Sequence, residues 1–202
     1  MFTINIYLRF ALIALCLGGG LLLSFAYGFW YALPFLLTGI LLLLGYIFLG
    51  TVQSTAQLVQ EMRFDEAEKR LALTLKPNWL YKTNRAFYFL IQGTLASQRK
   101  DNDAAEMWLT KAKEIELPSD NEKAMVELQL ANIQATKNKW NAAKVHLSAL
   151  KKLKVTEPQL KEQIQQFEKA LKQRGAIKAA GRAGMNPMKM NPGGKRRRPK
   201  MR

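Results

Sequence analysis

Charge is what the front of the chain lacks: within residues 1–60 the only Lys, Arg, Asp or Glu is Arg9. Acid is what the end lacks, because residues 174–202 carry ten Lys/Arg and no Asp/Glu. Between them, residues 61–173 hold 20 Lys/Arg and 15 Asp/Glu, a net of +5, so three regions of different physical character follow one another. Cysteine is reduced to Cys16, which excludes an internal disulfide. Histidine is reduced to His146, which has no cysteine near it and cannot anchor a metal site of ordinary type. No Gly-rich phosphate loop occurs, since Gly18, Gly19 and Gly20 lie in an uncharged apolar run, and no nucleophile stands in a pattern with a base to activate it. The carboxylates Glu61, Asp65, Glu66 and Glu68 read as a solvated helix start that suits the helix dipole. The expectation is a protein that is not an enzyme, with no cofactor, no metal and no small-molecule substrate.

What the front does have is apolar length. Phe10 to Trp30 and Tyr31 to Gln60 are free of charge, and crossing a hydrocarbon layer of about 30 Å takes about 20 helical residues. Gly28 and Pro34 interrupt the run, and Pro34 suits the first turn of the second helix. Phe25, Tyr27, Phe29, Trp30 and Tyr31 make an aromatic belt of the kind found at a bilayer surface. The pattern predicts a transmembrane hairpin over residues 1–52, with spans at about 10–30 and 32–52. A cleaved signal peptide fits less well, because the first run is long and a second follows at once. All positive charge lies on one side of the hairpin, which places both termini and the region between them in the cytoplasm. The short chain, the tight turn and the absence of a targeting peptide point to a bacterial cell (inner) membrane, with the chain multi-pass. Cys16, Gly20 and Ser24, like Ala14 and Gly18, are spaced by four, a face that either seats the second span through Gly39 or Gly45 or serves self-association.

The middle of the chain repeats itself. Ala67, Ala105 and Ala143 stand 38 positions apart, and Leu71, Leu109 and Leu147 keep the same register. Twelve residues before each alanine is another small residue, Thr55, Gly93 or Ala131, which lets two successive helices approach closely. A period between 20 and 50 residues marks stacked helical pairs, because one pair alone cannot cover its apolar face. At Phe89, Gly93 and Ala96, then Ala105, Leu109, Ala112 and Pro118, the sequence resembles the tetratricopeptide repeat (TPR) family, and Leu130, Ala131, Ala143, Leu147 and Pro158 repeat the match. The resemblance implies an all-α fold: the hairpin, then a TPR-like α-solenoid of about three pairs over residues 53–174. The second span is expected to run into the first repeat helix without a break. A last helix, opened at Pro158 and closed by Gly175, puts Leu160, Ile164, Phe167 and Leu171 on one face as a cap, and residues 175–202 form a disordered basic tail.

For Trp79 and Tyr81, with Lys82 and Arg85, two readings stand open: core packing, or contact with the lipid surface. The TPR resemblance also implies a binding groove lined by the first helix of each pair. Carried onto this chain, its residues are Phe87, Leu90, Thr94, Ser97 and Gln98, then Met125, Leu128, Asn132, Ala135 and Thr136. The function expected is a membrane-anchored scaffold or adaptor that holds a protein partner in that groove. The alternative is a tether for RNA, a ribosome or anionic lipid through Lys195, Arg196, Arg197, Arg198, Lys200 and Arg202.

Overall fold

The computed structural model describes residues 6–184 apart from Glu116. Among the described residues the chain is all-helical, with nine α-helices and no strand, and it divides into two units at Glu157/Pro158. The first unit opens with α1 (Ile6–Tyr27) and α2 (Phe29–Leu49), both long and apolar enough to cross a membrane. At 1.5 Å per residue each rises about 30 Å. Their large side chains face outward: Leu22, Phe25, Trp30 and Leu41 are all exposed. The two helices meet through small residues, since a Cβ on Gly39 would stand 2.7 Å from Leu17 and one on Gly20 would stand 2.9 Å from Leu36. Gly18 has nothing within reach, so the Ala14/Gly18 face takes no part in this contact.

Two expectations for the hairpin are corrected. Gly28, at φ 94°, makes the turn alone, and the second helix starts at Phe29, so Pro34 lies inside α2. The first four N–H groups of a helix have no partner in any case; a proline at the sixth position forfeits a bond, a loss that spanning helices tolerate. The second correction is at Gly50. Its φ of 63° ends α2, so α3 (Val52–Gln60) is a new helix and not a continuation.

Three helix pairs follow: α3 with α4 (Phe64–Ala72), α5 (Lys82–Gln98) with α6 (Asn102–Glu114), and α7 (Asp120–Thr136) with α8 (Trp140–Leu150). Each pair is joined by the same turn. Arg63, Asp101 and Lys139 donate their N–H to the carbonyls of Leu58, Ala96 and Gln134, while Met62, Lys100 and Asn138 donate to Val59, Ser97 and Ala135. That is a Schellman closure, and it holds Met62, Lys100 and Asn138 at φ of 60°, 62° and 59°. Burial keeps the register as well: Val52, Leu90 and Leu128 are 4%, 5% and 5% exposed, and Ala67, Ala105 and Ala143 are each 0% exposed. Thr55 and Ala131 are fully buried, and Gly93 lies so close to α6 that an added Cβ would meet Leu109 Cγ at 2.6 Å.

One pair of positions shows how differing chemistry fills the same place. Thr51 donates its hydroxyl to the Arg70 carbonyl at 2.8 Å; 38 residues on, the Phe89 ring stacks on Trp108 at 5.6 Å; 38 further, Glu127 Oε2 lies 2.7 Å from His146 Nδ1. Each contact ties the two helices of its own pair.

α2 is fastened to the first two pairs by its C-terminal end, where a helix leaves carbonyls without partners. The Phe48 carbonyl accepts from the Tyr81 N–H at 2.9 Å, and that of Leu49 accepts from Asn84 Nδ2 at 2.8 Å. Tyr46 donates its hydroxyl to the Leu73 carbonyl, and Thr51 shares a 2.9 Å hydrogen bond with Thr74.

The second unit, taken by itself, is α9 (Pro158–Gly184). It passes through Gly175, which was expected to end it. A single glycine costs a helix only about 1 kcal/mol against alanine, and Ala176, Ala179 and Ala180 favour helix beyond it. The rest of the expected disordered tail, residues 185–202, lies outside the described residues.

Candidate functional site

The expected groove residues fall on α5 and α7 in matching register. Helix geometry puts positions three and four apart on one side, so Phe87, Thr94 and Gln98 line one face of α5 and Met125, Asn132 and Thr136 one face of α7. The two faces are joined where Gln129 Nε2 donates to Thr94 Oγ1 at 3.2 Å, while the Thr94 hydroxyl donates to the Leu90 carbonyl at 3.0 Å. Gln98, Met125, Asn132 and Thr136 are exposed; Phe87, Thr94, Ser97 and Ala135 are half-buried. Leu90 and Leu128 are buried, each 5% exposed, and so are out of a partner's reach. Gln129 was absent from the expected set, although its spacing of four from Met125 and three from Asn132 places it on the same stripe. No residue of the stripe is charged, so what it offers a partner is amide and hydroxyl hydrogen bonds beside Phe87 and Met125.

Charge is concentrated instead where one pair meets the next. Lys137 Nζ lies 2.6 Å from Asp103 and 2.5 Å from Glu106, and Gln134 Nε2 donates to Glu106 at 2.7 Å. Thirty-eight residues earlier the corresponding side chains, Arg99 and Glu68, also form an ion pair. It borders a shallow cavity of about 230 Å³ lined by Phe64, Asp65, Glu68, Leu95, Gln98 and Arg99. The hydrogen bond and charge of Lys137 hold the Asp103 carboxyl below its ordinary value. For Glu106 the bond from Lys137 outweighs the upward pull of partial burial, and the carboxyl is likewise lowered. The Lys137 ammonium is raised in return, first by Asp103 and then by Glu106. In the sequence Glu68 reads only as part of a solvated helix start. The missed signal is an acid with a base 31 residues later, repeated once at the 38-residue period.

His146 is half-buried, as a lone helical histidine should be, and its partner explains why. Glu127 is buried and receives Lys113 Nζ at 2.7 Å besides His146. Burial pulls the Glu127 carboxyl upward, but the hydrogen bonds from His146 and Lys113 and their charges outweigh it, so the carboxyl lies below its ordinary value. This triad ties α6, α7 and α8 together.

Lys195, Arg196, Arg197, Arg198, Lys200 and Arg202 lie outside the described residues. No known family, curated protein or solved structure matches the chain.

Proposed function

We propose that the chain is a non-enzymatic, membrane-anchored adaptor of TPR type, which holds a protein partner against the uncharged stripe of α5 and α7. The single observation that carries this reading is the 38-residue recurrence of turn, buried small residue and inter-helix contact through three pairs, which leaves one face of the first helices uncommitted to the core. The exposed apolar surface of α1 and α2 supports a hairpin that crosses the membrane twice. Arg9 and the basic residues after α2 support a cytoplasmic placement of the pairs, as in a bacterial inner membrane. A photo-crosslinking amino acid at Gln129 or Asn132 of the full chain, in native membranes, should capture a discrete protein. The same group at Lys144 or Ser148 on α8 should not. Equal capture from both faces, or none from the stripe, would refute the adaptor reading.

A second reading rests on the ten Lys/Arg without acid in residues 174–202, a composition drawn to phosphate-bearing surfaces. If the tail tethers RNA or a ribosome, deletion of residues 189–202 abolishes RNA retention, and retention by the full chain falls steeply with salt.

A further inference from the structure

The connection between the first and second pairs departs from the repeat. α6 runs to Glu114, but α4 stops at Ala72, four residues short of the matching position. The cause is Pro77: its ring disfavours helix at Lys76 and blocks the carbonyl of Leu73. Lys76 is accordingly extended, and Pro77–Trp79 forms a 3₁₀ turn. The opened segment buries Thr74 and Leu80 but turns large apolar groups outward: Leu75 and Tyr81 are 64% exposed and Trp79 is 52% exposed. Three large apolar side chains this exposed within seven residues meet water poorly, and exposed apolar surface of this kind marks contact sites.

Position says what the surface meets. The hydrogen bonds from Tyr46 to Leu73, from Tyr81 to Phe48 and from Asn84 to Leu49 fix both ends of this segment against the last turn of α2. Charge agrees: from Lys69 to Gln98 the chain carries five Lys/Arg and no Asp/Glu, and the Lys76 ammonium lies over the Trp79 ring at 4.8 Å. We infer that the segment from Leu75 to Arg85 is a lipid-contacting platform, with Leu75, Trp79 and Tyr81 seated in the headgroup layer of an anionic bilayer and Lys76, Lys82 and Arg85 facing its phosphates. Aromatic residues with a polar edge favour that layer, and basic residues near an acidic leaflet each add to the attraction. The inference rests on the reading of α1 and α2 as spans, and it adds that the paired helices lie against the membrane and do not merely hang from it.

The test uses the full chain reconstituted in vesicles of three parts phosphatidylcholine to one part phosphatidylglycerol. In one variant Trp79 is the sole tryptophan, through Trp30→Phe, Trp108→Phe and Trp140→Phe. In a second, Trp79→Phe is added and a reporter is placed at mid-span by Leu41→Trp. Lipids brominated near the glycerol level should quench Trp79, and lipids brominated deep in the chain should quench the Leu41→Trp reporter. If the mid-span reporter is quenched while Trp79 is not, the platform is wrong and the spans stand. If neither is quenched, the spans fail and the platform with them. A Trp79 shielded from aqueous acrylamide yet untouched by bromine would be covered by protein, which also overturns the inference. Lys76→Glu with Lys82→Glu should lower Trp79 quenching to the level seen in pure phosphatidylcholine; no change would remove the anionic part of the proposal. Should the triple Phe background not fold, bimane on Trp79→Cys with Cys16→Ser gives the same readout.

Discussion

Gly93→Ala puts one methyl group into the closest approach between α5 and α6. In a helix exposed to water this substitution would stabilise by about 1 kcal/mol. Here the new Cβ would stand 2.6 Å from Leu109 Cγ, 2.8 Å from Leu109 Cδ2 and 3.3 Å from the Leu109 backbone nitrogen. Leu109 is 0% exposed and sits among Ala105, Ala112 and Val126, so its side chain has nowhere to swing, and the nearby backbone nitrogen means α6 itself must yield. Overpacking of this kind costs about 1–3 kcal/mol, and with no room to relax the upper part of that range applies. The net is a loss of about 1–2 kcal/mol, or roughly 2–8 °C in the melting temperature of a unit this size. Thermal unfolding of the full chain in detergent micelles, followed by circular dichroism, reads it. Leu109→Ala alone should cost about 2–5 kcal/mol, and adding Gly93→Ala to it should cost far less than in the wild-type chain, because the clashing atoms are gone. A rise in melting temperature for Gly93→Ala alone would refute the close approach and the small-residue register with it.

The three turn residues at positive φ give a graded prediction: Met62→Gly and Lys100→Gly should each stabilise by about 1 kcal/mol, and Asn138→Gly by less, because asparagine tolerates that conformation. Thr51→Val keeps the shape but strips the hydroxyl that serves Arg70 and Thr74. Left with unmet buried groups, the variant should lose about 1–3 kcal/mol in the same melt, and an unchanged melt would mean that the clamp below α2 holds nothing. The carboxyls of Asp103, Glu106 and Glu127 are depressed in the folded chain, so their contribution is fully present above the ordinary carboxylate values of 3.8 and 4.5 and is lost as pH falls through the lower folded values. Melting temperature should therefore drop as pH falls from about 5 to about 3, and Lys137→Met should flatten part of that drop by freeing Asp103 and Glu106.

Helix pairing was legible in the sequence because small residues and leucines recur where a close helix contact demands them, at Thr55, Gly93, Ala131 and their partners. What was not legible depended on neighbours far apart in the chain. The break at Gly50 follows from a backbone turn that the second and third pairs do not share, since Tyr88 and Val126 hold the corresponding places inside α5 and α7. The Glu68–Arg99 and Glu106–Lys137 links join one pair to the next, and pattern inspection along a single helix does not reach across them. The stripe on α5 and α7 was half visible: the family resemblance named Asn132 and Thr136, which are exposed, together with Leu90 and Leu128, which are buried. Trp79 and Tyr81 had two open readings, and their exposure closes the one that placed them in the interior.

The fastening at Tyr46, Phe48 and Leu49 has a mechanical outcome. Without slack between α2 and the pairs beyond it, a lean of that helix becomes a lean of the pairs. On the proposed reading of α2 as a span, a bilayer thin enough to tilt it would swing the α5 and α7 stripe to a new angle, so the reach of that stripe would follow the thickness of the lipid layer.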